Sequence, residues 1–255
     1  MKILITGNKG FIGQNAIKFF SNHDVSTYDY NEILPNVKSY DWILHFGAIS
    51  STTETNVEKI MKQNYDFTCE LIDQCTLHTV DLQISSSASV YGLKEEFKET
   101  SPVDPRTPYA WSKYMIEQYA NKWKYNSSRI QVFRYFNVYG PHEEHKGNQA
   151  SPYCQFEKQA KVLGKIKVFE NSDNYRRDFV HVSEVLEMQK KFFDVEESGL
   201  WNIGTGSTKS FLDVAKEMSI KYNAMIEEIP MPENLKHSYQ KYTCADLTKL
   251  KETIG

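Results

Sequence analysis

The chain opens on MKILITGNKGFIGQNAIKFF: an apolar run of strand length, a turn holding Gly7, Gly10 and Gly13, then a segment of helical periodicity. No other stretch limits the fold as strongly. Glycines at a strand-to-helix junction let the backbone turn tightly and approach a pyrophosphate, whose charge then rests on the helix N-terminus. A glycine triplet alone is weak evidence. Its place directly after an N-terminal strand, with Asp29 closing a second strand, points to a dinucleotide-binding unit.

The rest of the chain continues that beginning. DVSTYDY, DWILHFGA, VDLQISSSASVYG and RIQVFRYFNVYG read as further strands, the last preceded by a long helix over 109–125. Strands alternating with helices predict an α/β fold, a doubly wound parallel Rossmann sheet covered on both faces. Past residue 146 the alternation loosens, with strands near KVFE and LWNIGTG and a helix at FLDVAKEMSIKY. We expect a Rossmann domain over 1–145, rejoined by 177–205, and a smaller substrate-binding lobe from 146–176 and 206–255. Between Asp29 and the strand at Asp41 lies only YNEILPNVKSY, where such domains usually fit another strand and helix. The sheet should be shortened there, with a thinner wall beside an adenine.

Composition narrows the function. The net charge is −3 across 255 residues with both signs mixed, so no polyanion-binding field and no nucleic-acid partner are expected. Cys69, Cys75, Cys154 and Cys244 lack metal-ligand spacing and read as reduced thiols. His142 and His145 have no third ligand nearby, so no metal is expected. There is no signal-peptide pattern and no apolar run of membrane-spanning length, which points to a cytoplasmic protein with no membrane partner.

The reacting groups come from two segments. SSSASVYG follows the strand at 81–84, and YAWSK opens a helix downstream. At i and i+4, Tyr109 and Lys113 share a helix face. A free phenol titrates near pH 10, and a neighbouring ammonium favours the phenolate. Ser87 would hydrogen-bond the substrate oxygen on which charge develops. Tyr-x-x-x-Lys by itself is common on amphipathic helices; in order with the glycine turn and the serine-rich strand end it is far less so.

Taken together, TGNKGFIG, HFGAIS, Asn64, SSSASVYG, YAWSK, RYFNVYG, RRDFVHV and WNIGTG resemble the extended short-chain dehydrogenase/reductase family, over nearly the whole chain. The family acts largely on nucleotide sugars. The resemblance implies a catalytic triad of Ser87, Tyr109 and Lys113. It implies a cofactor site of Gly7, Lys9, Gly10, Phe11, Ile12, Gly13, Asp29, Phe46, Gly47, Ala48, Asn64, Ser85, Tyr109, Lys113 and Phe136. Asn137 would contact the sugar nucleotide and Arg177 its diphosphate. Asp29 would bind the adenosine ribose and favour NAD, whereas Lys9 would neutralise a 2′-phosphate and favour NADP; the resemblance leans to NADP. The family's dehydratases carry Thr-Asp-Glu where this chain has Ser87, Ala88 and Ser89, so an epimerase or reductase is expected. Self-association through the helices carrying Asn64 and Tyr109 is expected as well.

FRYFNVYGP followed by HKG resembles one branch in particular, the ADP-glyceromanno-heptose 6-epimerases, as do SSTTE, FENSDNYRRDFV and YQKYTCADLTKL. That likeness implies a role for Lys146. Inversion at a secondary alcohol takes a hydride off and returns it to the other face, leaving the cofactor unconsumed. The two epimeric hydroxyls point in different directions, so two acid/base groups serve them, Tyr109 and Lys146. Phe169, Glu170, Asn171, Ser172 and Tyr239 would line the substrate pocket. Gln155 stands where the branch has a histidine contacting substrate. The stretch after Asp29 is shorter than in that branch, and the chain stops at KETIG where relatives continue, so the smaller lobe should lack its last elements. Two other readings follow from the same residues. One is an epimerase or ketoreductase of a UDP-, GDP- or dTDP-sugar, with Lys146 holding phosphate. The other is a non-catalytic NAD(P) sensor, a class that typically loses the Tyr or Lys retained here.

Overall fold

The computed structural model describes residues 1–47, 49–233 and 240–255; Ala48 and Tyr239, both expected at the site, lie outside the described residues. The central sheet is built from β1 (Lys2–Thr6), β2 (Asp24–Tyr28), β3 (Trp42–His45), β4 (Asp81–Ser87), β5 (Ile130–Tyr135) and β10 (Gly199–Ile203). Its order is β10-β5-β4-β3-β1-β2, and every pairing is parallel. This is the doubly wound Rossmann sheet expected from the alternation. As expected, too, the stretch after Asp29 adds no strand: β2 is the sheet edge, and the described chain from 30 to 41 holds a single helical turn, Val37–Ser39.

Helices cover both faces, which is why Ile3, Leu4 and Ile5 of β1 are all fully buried. Alternate side chains go to opposite cores. Leu4 joins Ile43, Leu82, Ile84 and Val132 beneath α3 (Phe67–His78) and α4 (Pro108–Asn121). Ile3 and Ile5 join Trp42 and Leu44 beneath α1 (Phe11–Phe19) and α6 (Val182–Lys191). Helix α4 starts where the Thr107 side chain accepts from the Ala110 N–H, with Pro108 in the first turn. It ends at Asn121, short of the expected residue 125, because the chain leaves the helix through a series of tight turns to Asn126, whose side chain then accepts from Ser128 N.

The smaller lobe pairs β7 (Lys165–Phe169) with β12 (Met225–Ile229), packed by α5 (Pro152–Leu163) and α7 (Phe211–Tyr222) around Phe156, Ile166, Val168, Val214 and Ala215. Two short sheets join the lobes. One pairs β6 (Asn137–Tyr139) with β9 (Phe179–His181). The other orders β11 (Lys209–Ser210), β8 (Arg176–Arg177) and β13 (Tyr242–Thr243). One sequence boundary needs correction. Residues 245–254, assigned to the smaller lobe, lie on the main sheet: Ala245, Leu247 and Leu250 pack with Trp201 and Ile203 of β10, and α8 (Thr248–Ile254) fastens there through Thr253 and the Trp201 indole, 2.9 Å. Among the described residues no helix is long and apolar enough to cross a membrane.

Candidate active site

The glycine turn between β1 and α1 is bare backbone. Gly7 has φ +73°, its N–H bonds Tyr28 O, and its carbonyl accepts from Gly10 N at 2.9 Å. A Cβ on Gly13 would stand 2.1 Å from Gly7 O, and one on Gly7 would stand 2.5 Å from the backbone of Gly47. The turns after β1 and β3 therefore meet backbone to backbone. Beside them a cleft of about 160 Å³ is lined by Thr6, Gly7, Gly10, Asp29, Phe46 and Gly47, with Phe67 at its side. A bare-backbone cradle at a helix N-terminus is the donor set that a nicotinamide dinucleotide needs, so these residues fit one.

At the ribose end, the two groups that argue for different cofactors pair with each other. Lys9 Nζ lies 3.0 Å from the Asp29 carboxylate and 3.3 Å from that of Glu32. Glu32 also accepts from Asp29 N at 2.9 Å. Both carboxylates hold the Lys9 ammonium above its ordinary pKa.

Ser87, Tyr109 and Lys113 come together where β4 ends against α4. Ser87, in extended backbone at the end of β4, hydrogen-bonds the Tyr109 phenol, which opposes the strong upward push that burial gives it. Tyr109 is only 8% exposed and Lys113 only 3%. Lys113 Nζ lies 5.9 Å from the Tyr109 ring centre and donates to Ser85 O at 2.7 Å. Burial lowers the Lys113 pKa to about 8, against the upward pull of the Glu117 carboxylate one turn on. Behind them His45 is buried between Thr6 Oγ1, 2.6 Å, and Thr68 Oγ1, 2.8 Å, with its pKa lowered to about 3 by burial, so it is neutral.

Asn64 is fully buried and acts as a latch. Its Oδ1 accepts from Ile49 N at 2.8 Å and its Nδ2 donates to Ile49 O and to Ser112 Oγ, each at 3.1 Å. Ser112 in turn bonds Tyr109 O. The turn after β3 is thus tied to the helix carrying Tyr109. Asn64 lies in a π-helical segment, Met61–Asp66, between α2 (Val57–Ile60) and α3; such bulges recur at functional sites.

Lys146 lies in the loop between β6 and α5. It is half-buried, its Nζ 5.3 Å from the ring centre of Phe11, the first residue of α1, and burial lowers its pKa. Among the described residues its ammonium forms no ion pair. Gln149 of the same loop reaches Ser51 Oγ at 2.7 Å and Thr53 Oγ1 at 2.6 Å, a contact invisible in the sequence. Gln155 donates to Asn148 O and Ala150 O, so it braces this loop.

A second cavity, about 330 Å³, opens in the smaller lobe between α5, β7 and β12. Gln155, Phe169 and Ser172, named above as substrate-pocket residues, line it together with Gln159, Tyr175 and Phe211, which the sequence reading did not name. The exposed Glu170 and Asn171 adjoin it in sequence without lining it. Arg177 lies on β8, its guanidinium 5.5 Å from the Phe211 ring and donating to Arg176 O and Gln240 O. Asn137, exposed at the start of β6, accepts from Thr243 Oγ1 at 3.4 Å. Ile12 and Phe136 pack in the core beside β5 and β10.

A Rossmann sheet with an open glycine cradle, and with Ser87 half-buried beside the buried Tyr109 and Lys113 at the strand ends, defines a dinucleotide-dependent enzyme. The chain belongs to the NAD dependent epimerase/dehydratase family, whose model matches residues 25–204. It is 37% identical to the ADP-L-glycero-D-manno-heptose-6-epimerase of Brachyspira hyodysenteriae, over 98% of this chain and 90% of that one. Among solved structures it resembles the Helicobacter pylori ADP-L-glycero-D-manno-heptose-6-epimerase (TM-score 0.87, 24% identity, 99% and 89% of the two chains). It also resembles the UDP-N-acetylglucosamine 4-epimerase of Methanobrevibacter ruminantium (TM-score 0.88, 19% identity, 100% and 91%). At those identities the structural likenesses carry the fold.

Proposed function

We propose that the protein is a nucleotide-sugar epimerase and that its substrate is an ADP-heptose, inverted at C6. The observation that carries this reading is Lys146, half-buried against the first residue of the dinucleotide helix and free of any carboxylate ion pair among the described residues. A solvated loop lysine has no reason to be there. A second acid/base group does, because the two epimeric hydroxyls need proton acceptors in different places. The 37% identity to a heptose epimerase along 98% of the chain supports the same substrate.

In this reading a bound nicotinamide, held by the glycine turn, would supply the acceptor and donor for the hydride of the sugar carbon. The chain's own groups do the rest. Tyr109 takes the hydroxyl proton of one epimer at its phenolic oxygen, Ser87 steadies the charge that develops on the sugar oxygen, and Lys146 serves the other epimer. Lys113 keeps a positive charge beside the phenol. Phe169, Tyr175 and Phe211 give the smaller-lobe cavity an aromatic lining suited to a nucleobase. Ala88 and Ser89, after Ser87, are neither acidic nor basic, so the water elimination of a dehydratase lacks its groups. The exposed Leu77 and Trp111, on α3 and α4, support association of copies through those helices. Such an enzyme would work in the cytoplasm, where nucleotide sugars are made.

We also propose NAD as the cofactor. Asp29 and Glu32 set two carboxylates against the one ammonium of Lys9, which leaves the ribose end net negative and hostile to a 2′-phosphate. Mass spectrometry of the dinucleotide released from denatured protein is expected to find chiefly NAD; a preponderance of NADP would sink this part of the reading.

The substrate is tested by a proton NMR time course with ADP-D-glycero-D-manno-heptose in deuterated water. Conversion to the L-glycero epimer without deuterium at C6 is the expected result. An unchanged spectrum from folded, cofactor-loaded protein overturns the heptose assignment and favours an epimerase or reductase of another nucleotide sugar.

A further inference from the structure

The loop that carries Lys146 has little regular structure of its own beyond the 3-10 segment Glu144–Gln149. His142 has φ +71° and Gly147 φ +55°, both left-handed, and no strand or long helix spans it. Something must fix it. Inside the loop lies Glu143, a carboxylate only 1% exposed. Its Oε1 accepts from Gly140 N at 2.9 Å and from Ser151 Oγ at 2.8 Å; its Oε2 accepts from Ser151 N at 2.7 Å. One buried side chain thus joins the first residue of the loop to its last. The carbonyl of the same residue accepts from Lys146 N at 2.9 Å.

We infer that Glu143 is the positioning residue for Lys146: it ties the two ends of loop 140–151 together and so sets the lysine against α1. The inference rests on the role proposed above for Lys146. A carboxylate suits this task because all three donors are N–H or O–H groups and it offers only acceptors. Glutamine would turn an N–H toward one of those donors, and aspartate is one methylene too short to bridge both ends. Gln149 and Gln155 fasten the loop from outside, to Ser51 and Thr53 and to the loop's own carbonyls. Just outside the loop Tyr139 and Tyr153 stack at 4.0 Å, and within 140–151 Glu143 is the one side chain among the described residues whose hydrogen bonds join its two ends.

The test compares cofactor-loaded wild type with Glu143→Gln and Glu143→Asp. Two readouts need no sugar: hydrogen exchange of the amides at 144–150, and titration of Lys146 by competitive acetic anhydride labelling with peptide mass spectrometry. The titratable groups facing the ammonium are Glu143 from its own loop and the Cys154 thiol from α5; α1 presents the Phe11 ring. Burial is the largest influence on Lys146 and lowers its pKa. Releasing the loop therefore moves the labelling midpoint up, toward that of a free lysine, and speeds exchange. Turnover is expected to fall about 10²-fold with KM little changed, as for a misplaced catalytic group. In folded variants, wild-type exchange at 144–150 overturns the inference. So does a midpoint that moves down, since Glu143 would then act through its charge alone. Should Glu143→Gln fail to fold, the aspartate variant decides by the same readouts. If Lys146→Ala keeps full turnover, the role proposed for Lys146 falls, while exchange and labelling still decide whether Glu143 holds the loop.

Discussion

Tyr109→Phe is expected to lower kcat by about 10³-fold, the middle of the range for losing a positioned acid/base group. The ring is 8% exposed and packed at the end of β4, so phenylalanine fills the same space. What disappears is the phenolic oxygen, the atom that Ser87 bonds and burial otherwise keeps protonated. Dinucleotide binding, which depends on the glycine cradle, should be retained, as should the thermal midpoint. Rate measurements on the folded variant with bound dinucleotide make the check. A loss below about tenfold would remove Tyr109 from proton transfer and revive a sensor role for the fold.

Glu117→Ala is expected to destabilise the fold by about 3–5 kcal/mol, the cost of leaving a buried charge without its partner. Arg134 and Glu117 are 2% and 4% exposed, with Nε–Oε1 at 2.9 Å and Nη2–Oε2 at 2.7 Å. Their pairing raises the Arg134 pKa, and Ser86 Oγ also donates to Glu117, at 2.5 Å. The guanidinium stacks on the Tyr91 ring at 4.7 Å, while its Nη1 has no hydrogen-bond partner. Once Glu117 is gone, more of the guanidinium lacks a counter-charge in a dry interior. Removing both charges, as Glu117→Met with Arg134→Met, should cost far less than the single change. Urea unfolding of the three proteins tests this. Equal losses in the single and double variants would show that shape and not charge decides.

What the sequence made legible was local. The glycine turn, the Tyr109–Lys113 spacing and the buried character of β1 each lie within a few residues, where period and chemistry can be read directly. The absence of a strand after β2 was legible for the same reason, as a shortage of residues. The contacts that bind distant segments were not. Asn64 reaches Ile49 and Ser112 across stretches of 15 and 48 residues, and Gln149 reaches Ser51 across 98. Spacing in the chain gives no hint of such pairs. Lys9 and Asp29 illustrate the point from the other side: each looked like a separate argument about cofactor choice, and in the fold they form one ion pair. Helix α8 was misplaced because Leu247 and Leu250 show only that some core receives them, and the core proved to be that of the main sheet.

Lys113 bears on how this protein would evolve. Its pKa is lowered from 10.5 to about 8, so the lysine favours folding least below pH 8, where the unfolded chain carries the proton freely and the folded one carries it buried. A methionine there would keep the volume without that penalty. Selection for heat tolerance alone would therefore drive Lys113 out while sparing the sheet and the glycine turn. Keeping it buried beside Tyr109 costs stability, and the reaction proposed above is what would offset that cost.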